Sequence, residues 1–173
     1  AAVRWLMGHS DVERMRGVSY NNRNISLDSM RRLLAAIGNP EQQLKCVQVA
    51  GTKGKGSTCA MLSSMLNHCG LAVGLYTSPH LVDLRERICV NGDMINYADM
   101  AEICRQIAAA EAKLGDIKLS FFEILTAAAL KYFADQAVDI AVLETGLGGR
   151  LDSTTVVTPL VCGLVQISYD HMN

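Results

Sequence analysis

Lys55 stands among three glycines in the run Gly51-Thr52-Lys53-Gly54-Lys55-Gly56-Ser57-Thr58, and Val47-Gln48-Val49 just before it has the branched apolar character of a buried strand. A helical pattern follows at once, so the local order is strand, glycine loop, helix. That order makes a phosphate cradle. Glycine amides turn toward one anion, the helix amino end adds partial positive charge, and Lys55 adds a full one. An ordinary strand-to-helix turn explains one or two glycines, but not a lysine embedded among three. The expected nucleotide contacts are Gly51, Thr52, Lys53, Gly54, Lys55, Gly56 and Ser57. Two positions depart from the common G-x-x-x-x-G-K-[ST] pattern: residue 49 is Val, and Gly56 follows the lysine where a hydroxyl usually holds magnesium. A metal at this loop therefore needs an oxygen from elsewhere.

Three other residues are candidates to complete such a site. Ser78 follows the predicted strand Ala72 to Tyr76, Glu144 ends the strongly strand-like run from Val138, and His171 hangs beyond a strand predicted over Val161 to Ile167. In a parallel sheet, ligands bind at the carboxyl ends of the strands, and all three residues leave that edge. A glutamate facing a core costs several kcal/mol unless it is paired or bound to metal, so Glu144 reads as a magnesium ligand. Ser78 supplies the missing oxygen. Taken alone, Ser-Pro more often marks a turn, and a lone histidine is usually a satisfied surface or core group. As a neutral imidazole, His171 can bind a second ion, with Asp170 beside it. The glycines after Glu144 suggest close backbone approach to a ligand.

These residues need an α/β frame, and the remaining pattern provides one. Ser26 can cap a helix bearing Met30, Leu33, Leu34 and Ile37. A second helix runs from about Ser57 to Cys69 with Met61, Leu62, Met65 and Leu66 read as core. Asn91-Gly92 between short apolar arms predicts a hairpin, Asn96 caps a long helix to about Leu114, and Ser120 with Glu123 forms a capping box. The mixed charges of Asp83 to Arg87 read as a solvated loop. The chain has 173 residues, enough for one domain with a real core, and its net charge of −1 gives no electrostatic case for nucleic acid or an anionic membrane. No apolar run approaches a membrane span, and the opening residues do not read as a signal peptide, so a cytoplasmic location is expected. Six scattered cysteines with no C-x-x-C pair read mostly as buried apolar fillers.

Taken together, these motifs resemble the folylpolyglutamate synthase and dihydrofolate synthase family within the wider Mur ligase group. The resemblance rests on residues 49–57, on Tyr76-Thr77-Ser78-Pro79-His80-Leu81, on Arg85-Glu86-Arg87-Ile88, on Phe122 to Thr126, on Glu144 to Asp152, and on Asp170-His171. It implies an α/β fold with a mostly parallel sheet flanked by helices, the P-loop NTPase-like central domain of a Mur ligase. It also implies that Lys55 and the loop hold ATP, that Ser78 and Glu144 bind one Mg2+, and that Glu144 and His171 bind a second. Lys55, Glu144 and His171 are then the catalytic group, and Pro79, His80, Arg85 and Asp152 lie beside the substrate. Lys53 stands where many members have Asn, and Ser153-Thr154-Thr155 replaces the more usual Ala-Thr-Asn.

The implied reaction joins L-glutamate to the carboxylate of dihydropteroate or a folate. Such a carboxylate becomes reactive only when phosphoryl transfer from ATP turns one oxygen into a leaving group, giving an acyl phosphate that the amine attacks. Family members are more than twice as long as this chain. Residues 1–173 are thus expected to be a truncated ATP-binding domain, lacking a carboxy-terminal glutamate-binding domain and inactive alone; the full-length enzyme is expected to be a monomer. The rival readings are another Mur-type amide ligase acting on a UDP-linked substrate, which would lack the Ser-Pro-His-Leu and Arg-Glu-Arg-Ile context, and a non-catalytic nucleotide-binding module.

Overall fold

The computed structural model describes residues 5–9, 26–115 and 117–168. The elements in chain order are α1 (Asp28–Ala36), β1 (Cys46–Ala50), α2 (Lys55–His68), β2 (Val73–Tyr76), β3 (Ile88–Val90) and β4 (Asp93–Met94). After them come α3 (Tyr97–Leu114), α4 (Phe121–Asp135), β5 (Ile140–Glu144) and β6 (Val161–Leu164). Among the described residues, one sheet holds all six strands in the order β4-β3-β2-β5-β1-β6. The pairs β1·β5, β1·β6 and β2·β5 are parallel, whereas β2·β3 and β3·β4 are antiparallel. The chain thus has the mostly parallel α/β sheet that its sequence implies.

Helix boundaries follow the predicted caps closely. Asn96 accepts the Asp99 N–H at 2.8 Å, and Ser120 and Glu123 form a reciprocal capping box at the start of α4. At α1 the N-cap is Leu27, which makes no side-chain cap bond, and the predicted cap Ser26 lies one residue earlier, accepting the Asp28 N–H at 3.1 Å. Asn91 and Gly92 both take positive φ, of 54° and 90°, as the tight turn between β3 and β4 requires. The predicted strand over Val161 to Ile167 ends earlier, at Leu164.

Register sorts the strand side chains between two layers. Val49, Val73 and Val142 face α2 and pack with Cys59, while Cys46, Tyr76, Ala141 and Leu143 face the layer made by α1, α3 and α4. Helix α4 is buried over most of its length, and its run Ala127-Ala128-Ala129 has no exposed surface. Its Phe133 ring lies directly on β2: a Cβ at Gly74 would stand 2.7 Å from the ring. On α3, Met100, Ile103, Ile107 and Ala110 face inward as predicted.

Two expectations about the core are corrected. On α2, Leu62 and Leu66 pack against the sheet, but Met61 and Met65 are 60% and 64% exposed, because the amphipathic stripe is narrower than the methionine spacing suggests. Among the cysteines, Cys46, Cys59 and Cys104 are buried, Cys89 is half-buried, and Cys69 and Cys162 are exposed. Burial raises the Cys46 and Cys59 thiols from 9.0 to about 12 and the Cys104 thiol to about 11. For an acid whose pKa is higher when folded, stability is intact below the unfolded value and is lost as pH rises through the folded one. Stability is therefore expected to fall between pH 9 and 12, and a thiol reagent at mildly alkaline pH should label Cys69 and Cys162 well before the three buried thiols. Peptide mapping after timed labelling checks this. Equal labelling rates would contradict the packing.

Candidate active site

The phosphate loop is shaped by its neighbours before any ligand arrives. Gly51 has φ +143°, and a Cβ there would stand 2.5 Å from Val165 Cγ2 and 3.1 Å from the Val165 carbonyl, so only glycine fits where β1 leaves the sheet beside the segment after β6. The Thr52 and Lys53 N–H groups both donate to the Gln166 carbonyl, at 2.8 and 3.3 Å. The Thr52 hydroxyl donates to the Ser168 carbonyl and accepts the Ser168 N–H. These two loop amides are therefore engaged within the protein. Gly54 (φ +84°) is the N-cap of α2, and the Thr58 N–H donates back to the Gly54 carbonyl. The amides of Lys55, Gly56 and Ser57 have no acceptor within their own helix, which leaves these as the anion-binding groups. Thr58 directs its hydroxyl to the Gly54 carbonyl at 2.8 Å, so it does not replace the missing metal oxygen.

Glu144 arrives at this helix end from β5, which lies between β1 and β2. It is 4% exposed. A Cβ on Gly56 would stand 3.4 and 3.6 Å from its two carboxylate oxygens, so the glycine after Lys55 makes room for an acid. From β2, the Ser78 N–H donates to Glu144 Oε2 at 3.0 Å, next to the cis Ser78-Pro79 bond. Cys59, one turn into α2, feels the charges of both Glu144 and Lys55. Lys55, Gly56, Ser78 and Glu144 thus meet at one rim of the sheet. Among the described residues no cluster of three or more His, Cys, Asp or Glu gathers there. One buried carboxylate with a serine alongside still suits Mg2+, which keeps several waters and binds through one or two carboxylates plus substrate phosphates. Asp170 and His171, read as carriers of a second ion, lie outside the described residues.

The glycine loop after β5 is organised by Asp152, which is 5% exposed. Its Oδ2 accepts the Gly146 and Leu147 N–H groups at 2.9 and 3.0 Å, and its Oδ1 accepts from the Thr154 N–H and hydroxyl at 2.9 and 2.5 Å. Burial raises its pKa against these hydrogen bonds, which lower it. Four donors fill the carboxylate, so Asp152 fixes the shape of the glycine loop. Gln48 extends this network from β1, donating to Thr154 and Thr155 at 2.8 and 3.1 Å, and Thr155 donates to the Gly149 carbonyl. Sequence reading missed Gln48. Its signal was an amide in the middle of an apolar strand, which needs buried partners.

Residues 83–87 are not the solvated loop expected from their mixed charges. Asp83 caps a 3-10 turn (Leu84–Arg87) with Glu86 as its reciprocal partner, and Glu86 also gathers the Leu81 and Val82 N–H groups. Arg85 pairs with Asp83 through two nitrogens and lies 3.7 Å over the Tyr97 ring, so both its charge and its plane have partners in the protein. Its charge-assisted hydrogen bonds hold the Asp83 carboxyl well below the usual range. Arg87 is only 2% exposed and donates to His80. Local pairing consumed the charges that suggested solvent. Pro79 is exposed and His80 half-buried, beside Ser78.

A largely parallel α/β sheet with a lysine-bearing glycine loop after β1 and an acid brought to that loop by β5 defines a phosphate-loop domain. No protein-family model matches the chain. It is 43% identical over 151 residues to the dihydrofolate synthase/folylpolyglutamate synthase of Bacillus subtilis, covering 85% of this chain and 35% of that protein. Among solved structures, folylpolyglutamate synthase from Thermotoga maritima matches with a TM-score of 0.85 and 38% identity over 96% of this chain and 37% of its own. An FPGS-AMPPCP-folate complex matches with a TM-score of 0.88 and 34% identity over 99% of this chain and 40% of its own. The chain belongs to the folylpolyglutamate synthase/dihydrofolate synthase family. It spans about a third of the length of the Bacillus relative.

Proposed function

We propose that this chain is the ATP-binding part of a ligase that joins L-glutamate to dihydropteroate or a folate through an acyl phosphate. The observation that carries the reading is the buried Glu144 carboxylate, which lies against Gly56 at the amino end of the helix begun by Lys55 and is held by the Ser78 N–H. The relatives named for dihydrofolate and folylpolyglutamate synthesis support it, as does the similarity to a complex with an ATP analogue and folate. In this reading Lys55 and the amides of residues 55–57 bind the β- and γ-phosphates and stabilise the charge that develops during transfer. Glu144 and Ser78 hold Mg2+, which neutralises phosphate charge when bound. His171 serves a second ion. Pro79, His80 and Arg85 shape the substrate side of the crevice, and Asp152 keeps the glycine loop in place.

Cytoplasmic location, a monomeric full-length enzyme and lack of turnover by these 173 residues alone belong to the same proposal. Among the described residues, no helix is long and apolar enough to cross a membrane. Calorimetric titration with AMPPCP and Mg2+ tests the nucleotide reading. Lys55→Ala is expected to weaken binding by ~2 kcal/mol or more, about 30-fold, because it leaves phosphate charge without its fixed partner. Unchanged affinity would remove Lys55 from the site. Turnover of the full-length reading frame with dihydropteroate and with tetrahydrofolate then identifies the acceptor, and a UDP-linked substrate in the same panel tests the Mur-type rival.

A further inference from the structure

Among the described residues Arg87 is the largest fully buried side chain, and nothing in the phosphate reading uses it. Burying a guanidinium is costly, so its contacts should repay the loss of water. Two of them reach the loop around Ser78. The Arg87 carbonyl accepts the Thr77 N–H at 3.1 Å, its Nε donates to His80 Nδ1 at 2.9 Å, and its guanidinium carbon stands 5.4 Å from the Phe121 ring centroid. Arg87 therefore grips the chain on both sides of Ser78-Pro79, through its backbone at 77 and its side chain at 80. The neighbouring Glu86 gathers the amides of Leu81, Val82 and Asp83 at 2.8, 3.0 and 2.7 Å, fixing the rest of the loop. Ser78 in turn donates to Glu144.

The chemistry of the Arg87 contact also fixes a proton. A guanidinium N–H only donates, so the His80 nitrogen facing it must offer a lone pair. The ring is then neutral with its proton on Nε2, its remaining polar atom. We propose that Arg87 is a positioning residue, which holds His80 as the Nε2-protonated tautomer and, by clamping residues 77–80, sets Ser78 against Glu144 for the metal. The second half of this inference rests on the proposed nucleotide site, and the first does not.

Two measurements on the 173-residue chain separate them. Long-range proton–nitrogen NMR spectra at mildly alkaline pH, with His80 assigned by comparison with His80→Gln, are expected to show a single Nε2-protonated tautomer in the unmodified chain. Arg87→Met, which keeps much of the buried volume but no donor, should give a mixture of tautomers. A proton on Nδ1 or a tautomer mixture in the unmodified chain overturns the inference without any variant having to fold. In the second measurement, AMPPCP is titrated with and without Mg2+. Loss of a partner that orients a metal ligand typically costs at least tenfold in metal affinity, so Arg87→Met should bind AMPPCP about tenfold more weakly with Mg2+ and nearly unchanged without it. Equal losses in both conditions, or none in either, overturn the clamping role. If the unmodified chain binds no AMPPCP, the nucleotide reading and the clamping role built on it fail together, and the tautomer result still decides the first half.

Discussion

Glu144→Gln is expected to abolish the Mg2+ dependence of AMPPCP binding, weakening affinity in Mg2+ by about 100-fold, without destabilising the free protein. Glutamine has the same shape, and its side-chain carbonyl can still accept the Ser78 N–H that Glu144 Oε2 accepts at 3.0 Å. What it loses is charge. That charge is nearly all buried, and the desolvation cost that the neutral amide escapes offsets what the charge gains from its contacts. Thermal melting of the metal-free variant should therefore give a midpoint no lower than that of the unmodified chain. This pairing of a silent or favourable effect on stability with a large loss of metal-assisted binding separates a ligand from a structural acid. A variant that retained full Mg2+ dependence, or that melted several degrees lower, would remove Glu144 from the role.

Gly51→Ala should have the opposite signature, a large loss of stability. At φ +143° an alanine adopts a backbone conformation that costs ~1–3 kcal/mol. Its Cβ would also lie 2.5 Å from Val165 Cγ2 and 3.2 Å from the Gln166 carbonyl. Relief requires moving the segment after β6, whose Gln166 carbonyl holds the Thr52 and Lys53 amides, and overpacking of this kind adds ~1–3 kcal/mol. The combined loss is about 3 kcal/mol, which for a chain of this size lowers the melting midpoint by roughly 6–12 °C. Circular dichroism melts check it. A shift of under a degree or two would mean that the loop is not pressed against the β6 segment as described.

How much of this was legible in the sequence depended on whether a residue's partners were local. Capping residues such as Asn96, Ser120 and Glu123 act within one helical turn, and their roles were readable from spacing alone. The strand, glycine loop and helix around Lys55 were equally local. Glu144 could be suspected because a carboxylate at the end of an apolar strand has few innocent explanations, although its contact with Gly56 requires the folded sheet. The mixed charges of residues 83–87 misled because exposure was inferred from composition. Arg87 is buried against His80 and Phe121, neither of which its neighbours announce. Met61 and Met65 misled in the reverse sense, since helical spacing gives a stripe but not the width of the surface it meets. Gln48 and Asp152 show the same limit: their partners lie on the far side of α3 and α4 in the chain, or in a loop whose shape the carboxylate itself imposes.

The position of β5 between β1 and β2 has a consequence for the order of folding. The lysine loop and the serine loop are complete in the chain long before Glu144 has been synthesised, yet no adjacency links them until β5 inserts between their strands. Pairings of such long sequence separation form late and slowly, because chain entropy is lost before contacts reward it. Competence to take up magnesium nucleotide should therefore appear with the last cooperative step of folding. Ligand capture would then report a finished central sheet rather than an early collapsed state.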